Sequence, residues 1–204
     1  VFERASDIEI SKHYNLTLST TYFNIAKCQA NLGRFEAALT HIDSAIGLLP
    51  NDNKYPKEEF FNLRGHIYLT MGKYDLSIAD FNKSILINQY YSLAYINRAI
   101  AKVSSTGLVK MNFDTISGNI NNQPIGVNWN LPSKTTSNES DTKIVSALSD
   151  CNTAIDIDNT SGYAYYIRGQ LKQMLSHGDF CKDLLRAKEL GLAVEEELLK
   201  NCNK

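Results

Sequence analysis

The sequence predicts an all-α fold: a right-handed α-α superhelix of helix-turn-helix units, with one long irregular insertion and a C-terminal capping helix. Three observations support this prediction. An aromatic residue followed four places later by Ala or Gly recurs along the chain. A second series of small residues recurs downstream at matching distances. No alternating strand pattern occurs outside the insertion.

The first series sets the repeat length. Its four copies begin at Tyr22, Phe61, Tyr95 and Tyr165 and end at Ala26, Gly65, Ala99 and Gly169. The intervals between their small residues are 39, 34 and 70, and the second series (Ala45, Ser84, Ala154 and Ala187) repeats the 39 and the 70. An interval of 70 is one 34-residue period with 36 extra residues, so we expect a single insertion after Ala99 and before Ala154.

These intervals divide residues 1–204, taken as one domain, into units of two helices. Gly33 and Gly72 suit the C-terminal caps of first helices, and Pro50 suits the end of a unit. Ala5 occupies the place of Ala45 in an earlier second helix. We expect the tail of a preceding helix at 1–12, units at 19–52, 58–91, 92–159 and 162–190, an insertion at about 108–142, and a capping helix at 192–204.

This arrangement resembles the tetratricopeptide repeat family from about residue 19 to 190, less the insertion. The resemblance rests on the aromatic and small residues above, on Phe35 and Tyr74 opening second helices, and on Ala38, Ser77 and Ala147 following them. Gln89 and Asn159 depart from the closing proline of the family, and the fourth turn is shortened. The resemblance implies a non-catalytic scaffold that binds a peptide or protein segment in a concave groove lined by the first helices.

Charge and hydropathy narrow the range of partners. The chain has 21 Lys and Arg against 22 Asp and Glu, which argues against a nucleic-acid binder. No apolar run approaches the ~20 residues of a membrane-spanning helix. The chain does not start with Met, so we expect that any signal peptide has already been removed, and the cellular compartment stays open. The oligomeric state also stays open.

No catalytic, cofactor or metal motif occurs, so the sequence predicts neither an enzyme nor a cofactor. The histidines stand in separate units without ligand spacing, and Asp156–Asn159 lacks the Gly and Glu of a calcium loop. We interpret the four cysteines as buried small hydrophobic residues. Should one pair bridge, Cys181 with Cys202 is favoured because both lie in the terminal helices.

An ionic pattern accompanies the repeat. Three units carry Arg before the small residue and Asp in the second helix, whereas the first unit has Ile25 and His41 in these places. Since both partners are lost together, we predict an ion pair between the two helices of each unit: Arg64 with Asp80, Arg98 with Asp150, and Arg168 with Asp183. The alternative is a track of three arginines that binds anions.

Helical spacing selects the residues expected to line the concave groove, which are Phe23, Lys27, Asn62, His66, Ile96, Ile100, Tyr166 and Gln170. They carry little charge. Family members that bind C-terminal carboxylates use Lys, Arg and Asn in the groove, and here only Lys27 and Asn97 among the matching residues are polar. We therefore expect an extended, partly apolar peptide or a partner helix, and not that clamp.

The insertion differs in composition, with seven asparagines and the one tryptophan, Trp129. Two segments, 109–113 and 125–129, alternate enough for a short hairpin, and 133–140 is polar. The insertion either has no role or provides a contact surface around Trp129. Two further hypotheses for the whole chain are a self-associating structural spacer and an accessory domain of a larger complex or enzyme.

Overall fold

A computed structural model describes residues 2–49, 55–109, 138–176 and 179–202, and within these ranges all regular structure is helical. The predicted all-α class is confirmed. The helices are α1 Phe2–Asn31, α2 Phe35–Leu48, α3 Lys57–Thr70, α4 Tyr74–Ile87, α5 Ser92–Ser104, α6 Asn138–Ile157, α7 Gly162–Met174, α8 Phe180–Glu189 and α9 Glu196–Leu199, followed by a 3₁₀ turn at Lys200–Cys202. None of the described helices is long and apolar enough to cross a membrane.

Consecutive helices pack as pairs, α1 with α2, α3 with α4, α5 with α6, and α7 with α8. Each second helix also contacts the first helix of the next pair, which produces a superhelical stack. Short turns separate the helices of three pairs, and Gly33 and Gly72 reach a φ of 72° in two of them. That left-handed backbone conformation is the reason for glycine at both turns. The α5–α6 pair forms although the insertion separates the two helices in the sequence.

The recurring small residues lie where helices cross. Ala26, Ala45, Ala99 and Ala154 are fully buried. A Cβ atom added at Gly169 would lie 2.9 Å from Leu184 Cδ2, so the close approach of α7 and α8 requires glycine there. Hydroxyls strengthen the same crossings: Ser19 Oγ donates to the Ala45 carbonyl at 2.7 Å, and Ser77 Oγ donates to the Gly65 carbonyl at 2.7 Å.

Two expected boundaries are wrong. The preceding helix tail at 1–12 is not a separate element, because α1 runs unbroken from Phe2 to Asn31. That stretch contains neither Gly nor Pro to interrupt it. The insertion does not extend to residue 142, because α6 begins at Asn138 and Ser140 is buried. Glu139 and Asp141 in its first turn favour a helix N-terminus. Residues 110–137, which include Trp129 and most of the expected hairpin, lie outside the described residues.

The C-terminal cap is shorter than the expected helix over 192–204. It consists of the single turn α9 and the following 3₁₀ turn, with Leu199 buried and Leu192, Val194 and Leu198 packed against the core. A disulfide joins Cys181 on α8 to Cys202, with the two Cα atoms 5.3 Å apart. Of the other cysteines, Cys151 is buried as expected, whereas Cys28 is exposed.

Candidate functional site

The structure brings each predicted Arg together with its Asp. Arg64 donates to both carboxylate oxygens of Asp80, from Nε at 2.7 Å and from Nη2 at 2.8 Å. Arg98 and Asp150 meet in the same way at 3.0 and 2.6 Å, as do Arg168 and Asp183 at 2.9 and 2.5 Å. Because each Arg is on a first helix and each Asp on a second, these two-pronged pairs brace the units internally.

Each guanidinium also contacts the unit before its own. The Nη1 atoms of Arg64, Arg98 and Arg168 donate to side-chain oxygens of Asp43, Asn82 and Asn152 at 2.7, 2.7 and 3.0 Å. Sequence reasoning missed these acceptors. The sequence nevertheless contains a pattern that could have identified them. Asn82 and Asn152 each follow a paired Asp by two residues, and Asp43 follows His41, which takes the place of that Asp in the first unit, by two. Each Arg therefore joins three helices of two successive units.

An aromatic ring lies next to each of the three guanidinium groups. The guanidiniums lie 5.3–5.6 Å from the ring centroids of Phe61, Tyr95 and Tyr165, three residues earlier on the same helices. The hydrogen bonds that Arg64 donates to the Asp80 carboxylate raise the pKa of Arg64 further above its usual value. In the first unit, His41 Nδ1 instead donates to the Ala37 carbonyl at 2.7 Å, and its ring lies 5.9 Å from that of Tyr22.

Two lysines add a second cation to two of the buried carboxylates. Lys102 Nζ lies 2.7 Å from Asp150, and Lys172 Nζ lies 2.9 Å from Asp183. Both lysines stand four residues after the paired Arg, so they lie on the same helix face. The guanidinium donors already have acceptors within the chain. This arrangement favours bracing over a track of arginines that binds anions.

The eight predicted groove residues divide into two groups. Phe23 and Lys27 on α1 are half-buried. The other six are at most 8% exposed: Asn62, His66, Ile96, Ile100, Tyr166 and Gln170. The expectation that these six face an open groove is therefore wrong for this structure. Successive first helices approach each other on this side, since Asn97 Nδ2 on α5 donates to Asn62 Oδ1 on α3 at 3.0 Å. Ile96, Ile100 and Tyr166 belong to the core.

This inner face of the first helices contains polar atoms with unused hydrogen-bonding capacity. Asn97 Oδ1 and Gln170 Oε1 are buried and have no hydrogen-bond partner among the described residues. Gln170 uses its Nε2 to donate to Tyr166 Oη at 3.0 Å. Burial lowers the pKa of His66 to about 4, so its ring is neutral at physiological pH. Apart from Lys27 on α1, the chemistry of the face is thus neutral, with apolar side chains beside amide groups.

The described residues hold no group of three or more His, Cys, Asp and Glu that could bind a metal. His13 is exposed, His41 is half-buried and His66 is buried, each in a different helix. His177, like Trp129, lies outside the described residues. The arrangement defines the class of protein as a helical repeat protein in which Arg64, Arg98 and Arg168 connect successive units.

Comparisons with known proteins agree with this class. The sequence model described as "Tetratricopeptide repeat" matches residues 19–52 and 58–91, the same ranges as the first two predicted units. The comparison with curated proteins gave no match. Among solved structures, TTC0263, a thermophilic repeat protein of Thermus thermophilus, is similar with a TM-score of 0.61 and 16% identity, covering 85% of this chain and 74% of that chain.

Two further solved structures have the same fold. MamA gives a TM-score of 0.57 at 16% identity, covering 91% of this chain and 81% of that one. The first repeat domain of Spaghetti (RPAP3), solved with the HSP90 peptide SRMEEVD, gives 0.51 at 21% identity, covering 72% and 97%. At these identities the likeness concerns the fold. Residues 19–52 and 58–91 thus match the tetratricopeptide repeat family, and the described helices share the fold of these solved repeat proteins.

Proposed function

We propose that this chain is a non-catalytic scaffold that binds a segment of another protein along the inner face of α1, α3, α5 and α7. The observation that carries the proposal is the pair of buried, partnerless acceptors on that face, Asn97 Oδ1 and Gln170 Oε1. An unsatisfied buried acceptor costs free energy, and a segment whose binding parts the first helices would recover that cost by donating a backbone N–H to it. The neighbouring Ile96, Ile100 and Tyr166 favour apolar side chains in that segment.

In the first unit, the predicted groove residues are partly accessible to an incoming segment. Phe23 and Lys27 are half-buried, and the Phe23 ring lies 4.5 Å from that of Phe60 on α3. An incoming segment gains apolar contact beside Phe23 and, where it carries a carboxylate, an ionic contact with Lys27. The RPAP3 domain was solved with an acidic peptide of HSP90. In this chain, however, two places of the carboxylate clamp are occupied by the buried Leu63 and Leu93, so we do not propose that ligand.

Selection from a displayed random-peptide library, followed by fluorescence anisotropy of the recovered peptides, tests this function. The test variant is Phe23→Ala with Lys27→Glu. Its matched control is Leu86→Ala with Lys188→Glu, at exposed positions of α4 and α8. We expect affinity to fall at least tenfold in the test variant and to stay unchanged in the control. Equal affinities for both variants would overturn the proposal. Ile96 and Tyr166 are left intact, because truncating core residues destabilises the fold.

A further inference from the structure

The C-terminal cap is tied to the helix pairs by one covalent bond. Cys202, in the 3₁₀ turn of the cap, forms a disulfide with Cys181 in the first turn of α8. The chain leaves α8 at Glu189 and returns through α9 to that first turn, so the cap runs back along α8. The disulfide therefore fixes the end of the cap that is farther from α8 in the sequence.

The other end of the cap is held by the backbone. Gly191 has a φ of 87°, and the Leu192 N–H donates to the Ala187 carbonyl at 3.1 Å, as is typical of a helix C-terminus. Beyond Leu192, the backbone hydrogen bonds of the described residues stay within the cap itself. Residues 193–202, which we call the cap segment, are thus held against α7 and α8 by side chains and by the disulfide.

Few side chains hold the cap segment in place. Leu199 is buried, and Val194 and Leu198 pack against the core as half-buried residues. The glutamates at 195–197 are exposed. The only regular structure of the described cap segment is one turn of α-helix and one 3₁₀ turn, and helices this short are not stable alone in water. We therefore expect the order of the cap segment to depend on the disulfide, which restricts its freedom by closing a loop.

The cap lies against the side of α7 that carries Tyr166. A Cβ atom added at Gly162 would lie 3.4 Å from Leu192 Cβ, so the cap begins beside the first turn of α7. One turn further along α7, burial and the nearby Glu195 carboxylate raise the pKa of Tyr166 to about 12. Tyr166 is only 8% exposed. Displacement of the cap segment would remove Glu195 from this ring and uncover part of it.

The α7–α8 pair has contacts of its own that do not involve the cap. Arg168 on α7 donates to both carboxylate oxygens of Asp183 on α8. Leu184 on α8 is fully buried and fills the space beside Gly169 on α7. Because these contacts persist without the cap segment, its release should be a local opening and not an unfolding of the pair.

The disulfide is accessible to a small reductant, since Cys181 and Cys202 are both half-buried. A thiolate of a dithiol attacks one of the two sulfurs, forms a mixed disulfide and releases the other cysteine. The second thiol of the reductant then attacks the reductant's own bonded sulfur and releases the remaining cysteine. Two electrons pass from the dithiol to the protein, its two protons end on Cys181 and Cys202, and the reductant leaves as its own disulfide.

We propose that the Cys181–Cys202 disulfide is a redox switch for the cap: a dithiol reductant releases residues 193–202 and uncovers Tyr166, while the helix pairs stay folded. A small disulfide closes the switch by the reverse exchange. The protein offers the reductant no other target, because the remaining cysteines, Cys28 and Cys151, are free thiols. The proposal concerns the conformation of the cap and does not rest on the proposed peptide binding.

Hydrogen exchange measured by mass spectrometry tests the switch under native conditions. We expect a dithiol reductant to make amide exchange in residues 193–202 at least about tenfold faster, and oxidised glutathione to restore slow exchange once the reductant is removed. Peptides from α3 and α4 should exchange at the same rate in both states. Unchanged exchange in the cap segment would overturn the proposal, because packing alone would then hold it. An equal rise in all helices would also overturn it, because the disulfide would then support the whole fold.

Two serine variants test the switch without a reductant. Cys202→Ser should exchange rapidly in residues 193–202, whereas Cys28→Ser, at an exposed cysteine outside the disulfide, should match the unaltered chain. Hydroxyl-radical footprinting should modify Tyr166 more in Cys202→Ser than in Cys28→Ser. Cys151 should resist iodoacetamide in both variants, which distinguishes an open cap from an unfolded chain. Slow cap exchange in Cys202→Ser, equal modification of Tyr166, or labelling of Cys151 in Cys202→Ser alone overturns the proposal.

Discussion

The ring of Phe81 lies directly against the backbone of Gly65. A Cβ atom added at residue 65 would stand 2.8 Å from Phe81 Cε1, closer than real side chains approach. Phe81 is fully buried, so its ring has little room to move. This contact explains a glycine in the middle of α3, where helix propensity alone would disfavour it.

Gly65→Ala should therefore destabilise the protein although alanine is the better helix former. Overpacking costs about 1–3 kcal/mol, whereas the gain in propensity is at most about 1 kcal/mol. Gly47→Ala is the matched control, because no atom lies within 4 Å of a Cβ there and the residue is also helical. We expect urea denaturation to show a lower free energy of unfolding for the first variant and an unchanged or higher one for the second. A stabilised Gly65→Ala would contradict the packing.

Asp150 should be among the most sensitive polar positions. Its carboxylate is 6% exposed and accepts hydrogen bonds from Arg98 and Lys102, which are themselves mostly buried. Asp150→Ala leaves both cations without their counter-ion, and breaking a buried pair in this way costs about 3–5 kcal/mol. Asp43→Ala, which removes a 53% exposed partner of Arg64, should cost no more than about 1 kcal/mol. Equal losses in urea denaturation would show that burial does not set the strength of these pairs.

The helix pairs, their turns and the ion pairs within each unit could be predicted from the sequence because each depends on local residue requirements. Backbone conformation requires glycine at a turn, and the short distance between helices requires small residues at their crossings. Both residue types therefore recur with the repeat period and can be recognised in the sequence. The Arg–Asp pairs could be predicted because both partners change together in the first unit. Their second acceptors, such as Asn82, were missed because they belong to the contact between units, which spacing within one unit does not describe.

The inner face shows where such reasoning fails. Helical spacing predicts that Ile96 and Ile100 lie on the side of α5 away from its own second helix. It gives no information on how closely successive first helices approach, and that distance decides whether the face is open or buried. The predicted start of α1 was wrong for a different reason. The repeat period placed the tail of an earlier helix at 1–12, but no helix-breaking residue separates that stretch from the rest of α1.

The disulfide between Cys181 and Cys202 should stabilise the C-terminal cap. It closes a segment with a sequence separation of 21 residues, and a loop of this length is stabilised by about 3 kcal/mol in the chain-entropy description. We expect a reducing agent to lower the melting temperature of the unaltered chain. Cys181→Ser with Cys202→Ser should melt lower in oxidising buffer and show no further response to the reductant. An unaltered chain that does not respond to full reduction would contradict this role.

The two remaining cysteines should differ in reactivity. Cys28 is exposed, whereas Cys151 is buried and its pKa is raised by that burial, so its thiol stays protonated. We expect iodoacetamide to label one thiol in the native chain at low protein concentration, two in urea, and four after reduction in urea, as counted by mass spectrometry. Labelling of Cys151 as fast as Cys28 would mean that α6 opens readily.

His66 should make stability depend on pH in mildly acidic solution. Burial lowers its pKa from 6.5 to about 4 in the folded protein, so below pH 6.5 the unfolded chain binds a proton that the folded chain does not. The contribution is fully present above pH 6.5 and is lost as the pH falls towards 4, to the extent of about 3 kcal/mol at 1.36 kcal/mol per pH unit. His66→Gln should lose correspondingly less stability between pH 7 and 4, with His13→Gln, at an exposed residue, as the control for the substitution itself. Parallel pH profiles for the unaltered chain and His66→Gln would show that a neutral, buried His66 does not govern this dependence.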